Sequence, residues 1–281
     1  MGGESVTVYK AKKAAGKIGL YALVLIVVLP ILFPLYFVFI SSLKNMSQVY
    51  IMPPQLFGFT PIWDHYKYIF ETQHYDTYMV NSAIVAFAST AISLILGVPA
   101  SYSIARFHMR KTSTSILVAR LLPSISFLLP YYFLFSKLKM IDTYSVLILS
   151  HIVLSLPLIV WIMSSFIADI PKELDEAAIV DGCTRQRCFW NVILPVSLPG
   201  LVTCATLSFL GSWNNFQFAL ILSGEKTRTL PVSLQYFVSG ADIRWGRMLA
   251  ATIVVIVPAI ILTMALQKYI IKGMTAGAVK G

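Results

Sequence analysis

Five stretches of the chain run without a single Asp, Glu, Lys or Arg: residues 18–43, 77–105, 143–168, 188–224 and 248–267. A bilayer's hydrocarbon core is about 30 Å thick, and a helix rising about 1.5 Å per residue needs about 20 apolar residues to cross it. Each stretch is that long. A sixth, 114–136, carries only Arg120. The run 188–224 is too long for one crossing, so its first part, up to Pro195 or Pro199, is expected at the surface, with a crossing over 200–222. Residues 18–43 exceed the short apolar core of a signal peptide and no small-x-small cleavage pattern follows, so this span is read as retained. The expectation is all-α: a polytopic membrane protein with six transmembrane helices.

Composition agrees. The chain is 57% hydrophobic and 12% charged, against about 45–50% and about 25% in soluble domains, with a mean hydropathy of +0.76. So few charges cannot cover a soluble enzyme of this size. The net charge of +10 would suit a nucleic-acid partner if it lay on one face, but the Lys and Arg sit between apolar spans. They report orientation instead. Lys10, Lys12, Lys13 and Lys17 precede the first span; Arg106, Arg110 and Lys111 follow the second; Lys172, Arg185 and Arg187 follow the fourth; Lys268, Lys272 and Lys280 close the chain. With six spans and positive charge inside, both termini are cytoplasmic. The organisation is a basic tail (1–17), a six-helix domain (18–272) and a second cytoplasmic tail (273–281). Cys183, Cys188 and Cys204 fit neither a disulfide framework nor a zinc site and read as free thiols.

The longest cytoplasmic loop, 169–192, is itself structured. Pro171 suits a first helical position, and Glu173, Asp175 and Glu176 put negative charge at the positive end of a helix dipole. Gly182 supplies the left-handed residue that ends a helix. Thr184 can cap a second short helix, with Pro195 as its stop. Leu174, Ala177, Ala178 and Asp181 are spaced to share one face, and two small residues there allow close approach of another surface. The product is a helix-turn-helix on the inner membrane face, shaped either to dock a partner or to pack on its own helices.

Within the spans, His151, Asn81, Asn214, Asn215 and Gln217 are the costly polar groups. Such groups face the bundle interior or a water-filled path. Trp213, Asn214 and Gln217 either line such a path or join helices with hydrogen bonds of about 0.6–2 kcal/mol. Arg120 either snorkels to the inner interface or pairs with a carbonyl or an acidic partner on another chain. No Gly-x4-Gly-Lys-Ser/Thr loop is present, so the usual route to ATP binding is closed. His65, His74, His108 and His151 stand apart from any His-Glu-x-x-His pattern, which argues against a membrane protease. Arg120 alone is a thin basis for a self-sufficient secondary transporter.

Three separated motifs carry a resemblance. Glu176-Ala-Ala-x3-Gly182-x9-Val192-x-Leu194-Pro195 resembles the EAA coupling loop of permeases in binding-protein-dependent ABC importers, with Val where Ile is usual. Trp213-Asn214-Asn215-Phe216 resembles the Trp-Asn-x-Phe of carbohydrate permeases, with Asn215 where an acidic residue is common. The ending from Gln267 through Gly273 and Gly277 to Gly281 is similar to that of the smaller permease of maltose-type importers. The resemblance implies a bacterial or archaeal cytoplasmic-membrane subunit that binds no cofactor itself. Its partners would be a larger permease, two ATPase subunits that bind ATP and Mg2+, an extracytoplasmic solute-binding protein, the sugar and the bilayer. It also implies roles: Leu174, Glu176, Ala177, Ala178, Asp181 and Gly182 in ATPase coupling; Trp213, Asn214, Asn215 and Gln217 along the pathway; Tyr236, Phe237, Ser239 and Gly240 toward the binding protein; Thr275, Gly277, Lys280 and Gly281 against the ATPases.

Overall fold

The computed structural model describes residues 3–107, 109–239 and 242–275. They form fourteen α-helices in chain order: α1 Gly3–Ser42, α2 Met46–Val49, α3 Asp64–Glu71, α4 Tyr75–Arg106, α5 Arg110–Leu121, α6 Leu128–Lys137, α7 Tyr144–Ala168, α8 Glu173–Val180, α9 Arg185–Cys188, α10 Leu194–Val196, α11 Leu198–Trp213, α12 Gln217–Leu222, α13 Leu230–Ser233 and α14 Trp245–Thr275. The strands among the described residues, β1 Val238–Ser239 and β2 Asp242–Ile243, make one small antiparallel hairpin.

Four helical segments are long and apolar enough to cross a bilayer unbroken: Gly19–Ser42, Tyr75–Arg106, Tyr144–Ala168 and Trp245–Tyr269. A fifth crossing is possible through Arg185–Val196 and Leu198–Trp213, which meet at a 76° bend. The count of six unbroken spans is therefore not met among the described residues. The span sought at 114–136 is broken after α5, where Leu122 and Pro123 are extended and a 3-10 turn, Ser124–Phe127, leads into α6. Proline disfavours helical geometry in the residue before it, which accounts for the stop.

The crossing sought at 200–222 divides too. Helix α11 ends at Trp213, and the Asn215 side chain accepts a hydrogen bond from the Phe218 N–H (3.1 Å), opening α12. Asparagine competes with the backbone in this way and favours helix ends. Upstream, Pro195 does not stop the second short helix: α9 runs through a π turn, Phe189–Ile193, into α10, and the chain bends at Ser197. Helix α14 continues to Thr275, past the Gly273 at which the tail was expected to begin. A glycine so near a helix end costs only about 1 kcal/mol. At the other end α1 reaches back to Gly3, through much of the expected basic tail.

The chain divides into two compact units. The larger comprises Gln73–Tyr236 and Val254–Gly281. Its centre is α4 against α7, with α11 beside both. Gly97 lets them close: a Cβ there would lie 2.8 Å from Ile159 Cγ2 and 3.3 Å from Leu156 Cδ1. Gly200 does the same for α11 beneath the ring of Phe166. Buried hydroxyls stitch the three helices, with Ser93 to Ser155 at 2.7 Å, Ser89 to Ser212 at 3.1 Å and Thr90 to Ser208 at 3.4 Å. In a bilayer, where lipid is as apolar as leucine, small and hydroxylated residues of this kind hold helices together.

The smaller unit comprises Met1–Thr72 and Phe237–Ile253. Lys44 is buried there, its ammonium donating to the Gln55 carbonyl, and the His65 ring meets the Lys44 carbonyl at 2.8 Å. Gly246 lies hard against that imidazole, where any side chain would overlap it. The span of α1 is the most exposed of the four, with 6% of its apolar window buried. Its surface is left for lipid or another subunit.

Candidate functional site

Helix α8 begins after Pro171 with Glu173, Asp175 and Glu176 in its first turn. It ends at Gly182, whose φ of +85° is the left-handed value that the sequence required of it. Beyond the turn, Thr184 caps α9 through the Arg187 N–H (3.3 Å). The turn is closed by the Gly182 N–H on the Ile179 carbonyl (3.0 Å) and the Cys183 N–H on that of Ala178 (2.9 Å). The helix-turn-helix read from the sequence is present.

Its faces divide differently from the expectation. Leu174, Glu176, Ala177, Asp181 and Gly182 are exposed, but Ala178 is buried. It packs in the apolar cluster of Val98, Ile159, Met163, Ile167, Cys188 and Ile193. The spacing of Ala178 from Leu174 fits a shared face, yet the wider side of α8 turned inward is set by its neighbour at i−3, Asp175. That carboxylate is buried and pairs with Arg106, the last residue of α4, at 2.7 Å. The Tyr102 hydroxyl donates to its other oxygen at 2.8 Å. The same guanidinium donates to the carbonyls of Ile167 (3.2 Å) and Ile170 (3.1 Å) at the end of α7. Sequence reasoning placed Arg106 as a topological charge and Asp175 as a dipole partner, and so missed their union. The available signal was an acidic residue three positions from an alanine, at a spacing that puts the two on one side of α8.

The pathway residues are not gathered. Trp213 is 3% exposed, its indole N–H donates to the Val255 carbonyl (3.0 Å), and its ring stacks on Phe209. It ties α11 to α14. Gln217 is exposed and accepts from the Ser124 hydroxyl (3.2 Å), Asn214 is exposed, and Asn215 caps α12. Asn215 does border a cavity of about 240 Å3 between α7 and α11. His151, Ser155, Ser208 and Ser212 share its wall, and the His151 Nδ1 meets the Ser212 hydroxyl at 2.6 Å. Asn81 is structural: its amide donates to the Lys226 and Arg228 carbonyls and accepts from Tyr144.

In the loop before α13, Asp142 is the organising residue. Its carboxylate accepts from the Gly224, Lys226 and Thr227 N–H groups and from the Thr227 hydroxyl, at 2.8–3.2 Å. Gly224 permits this approach, because a Cβ there would meet the carboxyl at 2.6 Å. Burial alone would raise the Asp142 pKa, but the hydrogen bonds from Thr227, Lys226 and Gly224 outweigh it and hold the carboxyl below its ordinary 3.8. A depressed folded-state pKa stabilises above the unfolded value and is lost as pH falls through the folded one. Relative to the intrinsic rate at each pH, hydrogen exchange of the 224–227 amides is thus expected to stay slow down to about pH 4 and quicken below it. In Asp142→Asn the quickening should be present at neutral pH, and equal protection in that variant would refute the clamp.

Of the residues assigned to the binding protein, Tyr236 is exposed, stacked on Tyr78 with the Arg228 guanidinium over its ring. Phe237, in contrast to the exposure expected of a residue that meets the binding protein, is only 2% exposed, and its carbonyl accepts from the Arg244 N–H (3.0 Å). Ser239 pairs with Asp242 in that hairpin, and Gly240 lies outside the described residues. Thr275 ends α14, while Gly277, Lys280 and Gly281 lie outside the described residues.

Comparison with known proteins places this architecture. The family described as "Binding-protein-dependent transport system inner membrane component" matches residues 93–276. The chain is 34% identical to the trehalose transport system permease protein SugB of Mycobacterium tuberculosis (strain CDC 1551 / Oshkosh), over 89% of this chain and 93% of that one. It is 36% identical to the trehalose/maltose transport system permease protein MalG of Thermococcus litoralis (strain ATCC 51850 / DSM 5473 / JCM 8560 / NS-C), over 75% and 77%. The solved structure of a bacterial ABC transporter for import of the acidic polysaccharide alginate shares the fold, at TM-score 0.77 and 19% identity, over 92% of this chain and 97% of that one.

Proposed function

Because this chain belongs to the family of inner membrane components of binding-protein-dependent transport systems, we propose that it is one permease subunit of an ABC importer for a carbohydrate. It forms half of the translocation path, with a larger permease forming the other half. Two ATPase subunits sit beneath the pair and hold the ATP and Mg2+, and a solute-binding protein delivers the sugar from outside. ATP-driven closure of the motor draws the α8 loops together and the helices alternate in access.

The observation that carries this reading is the division of α8. Leu174, Glu176, Ala177 and Asp181 are free to enter a cleft on another protein, while Asp175 and Ala178 bind the helix to its own core. A loop that merely packed on its own chain would bury the first set. Purification from native membranes in mild detergent should bring down a second permease and an ATPase. ATP hydrolysis by that complex should accelerate when the binding protein is supplied with trehalose or maltose, the sugars named for the two relatives above. A subunit that purifies alone, or a complex indifferent to every sugar, would defeat the reading.

Orientation follows from the basic segments: the α8–α9 loop faces the cytoplasm and the hairpin β1–β2 faces out. In a cysteine-free background, Val238→Cys should react with a membrane-impermeant thiol reagent on intact cells and Gln186→Cys should not. Labelling of Gln186→Cys without permeabilisation reverses the topology. The residues from Thr275 to Gly281 are assigned to a crevice between the ATPases, for which the small residues Gly277 and Gly281 suit close backbone approach. Truncation after Thr275 is expected to leave membrane insertion unchanged and reduce co-purified ATPase several-fold. Full retention removes that contact.

A further inference from the structure

We propose that Arg106 is the positioning residue that makes α8 move as one body with the ends of α4 and α7, and that the Arg106–Asp175 pair therefore sets how tightly ATP hydrolysis is coupled to transport. The inference rests on the importer reading above and concerns the inner side of the docking helix, which touches no partner.

The geometry leads there. One guanidinium joins three elements: it stands on the last residue of α4, donates to the Ile167 and Ile170 carbonyls at the end of α7, and pairs with Asp175 in the first turn of α8. Both partners are largely buried, with side-chain exposures of 7% and 11%. The Tyr102 hydroxyl, one turn earlier on α4, holds the second carboxylate oxygen, so the carboxylate cannot spin about its own axis. The hydrogen bonds from Tyr102 to the carboxylate and from Arg106 to the two carbonyls are directional, unlike the apolar contacts of Ala178 in the same interface, and the Arg106–Asp175 contact adds charge attraction without a hydrogen bond of its own.

Direction is what a lever needs. Successive residues of an α-helix are turned by about 100° around its axis. A roll of α8 by one residue would swing Leu174, Ala177 and Asp181 off the motor while leaving its apolar contacts with the core nearly interchangeable. Apolar packing alone resists separation better than it resists rolling. A bonded carboxylate resists both. Buried ion pairs are not needed for stability, since packed apolar residues of similar size commonly replace them without loss, so a structural role alone gives this pair no reason to be charged.

The test uses the complete importer reconstituted in vesicles, with the binding protein loaded with whichever of trehalose and maltose accelerates the wild-type complex. Two variants are compared, Asp175→Asn and the apolar double variant Arg106→Met/Asp175→Leu. Three quantities are read: ATPase co-purified, ATP hydrolysed, and sugar moved per ATP. Both variants are expected to retain ATPase within about twofold while sugar moved per ATP falls at least tenfold. Arg106→Lys should recover only part of the ratio. An apolar pair that moves as much sugar per ATP as wild type overturns the proposal, as does Asp175→Asn with an unchanged ratio. If Asp175→Asn fails to assemble, the double variant decides alone, and failure of both to assemble assigns the pair to folding and overturns the proposal. A wild-type complex that no sugar accelerates sinks the importer reading itself, and this inference with it.

Discussion

Gly182→Val is expected to lower sugar-stimulated ATP hydrolysis and uptake roughly tenfold to thirtyfold while leaving membrane insertion intact. The residue sits at φ +85° with open space where a Cβ would be, so the cost comes from the backbone and not from a clash. Forcing a β-branched residue into that region costs about 1–3 kcal/mol. The chain escapes by reshaping the turn, and the reshaped turn displaces α9 relative to α8. The spans are elsewhere and do not respond. Gly182→Asn should behave nearly as wild type, because asparagine tolerates the left-handed region. Full activity in Gly182→Val, measured as ligand-stimulated ATPase in the reconstituted complex, would show that the turn has no part in coupling.

Gly97→Val should act on the other axis, stability. Its Cβ would stand 2.8 Å from Ile159 Cγ2, a group with no exposure at all, at the tightest approach of α4 to α7. Overpacking of this kind costs about 1–3 kcal/mol. For a domain of this size that corresponds to a melting temperature lower by roughly 2–10 °C. Solubilised protein followed by thermal unfolding would register it, and Ile159→Ala introduced beside Gly97→Val should return most of the loss. An unchanged melting temperature in the single variant would mean that α4 and α7 do not close here.

Much of this organisation was legible in the amino acids because charge and periodicity leave little freedom in an apolar chain. Four charge-free runs became four unbroken helices. Gly182 and Thr184 became the turn and the cap that their chemistry allows. Where the reading failed, a single polar or cyclic side chain had overridden hydropathy. Pro123 broke the third span and Asn215 divided the fifth, and a count of apolar residues registers neither effect. The helix α8 was placed correctly but the burial of its faces was not. A spacing of three and four puts Leu174, Ala177 and Ala178 near one another, and only the burial of Asp175 decides which side of that arc turns inward. Trp213 was read as a pathway residue for its place beside Asn214 and Asn215. The carbonyl of Val255, 42 residues away in sequence, claimed its indole N–H instead, and such a distant partner leaves no local trace.

The two sides of α8 answer to different histories. Asp175 and Ala178 are constrained by the chain's own interior, so a change there must be met by a change in Arg106 or the surrounding apolar cluster. Leu174, Glu176, Ala177 and Asp181 meet solvent in this chain and carry no such debt to the fold. Under the importer reading proposed above, exchanging those four surface side chains is the change that would suit this permease to a different ATPase, with its membrane helices left as they were.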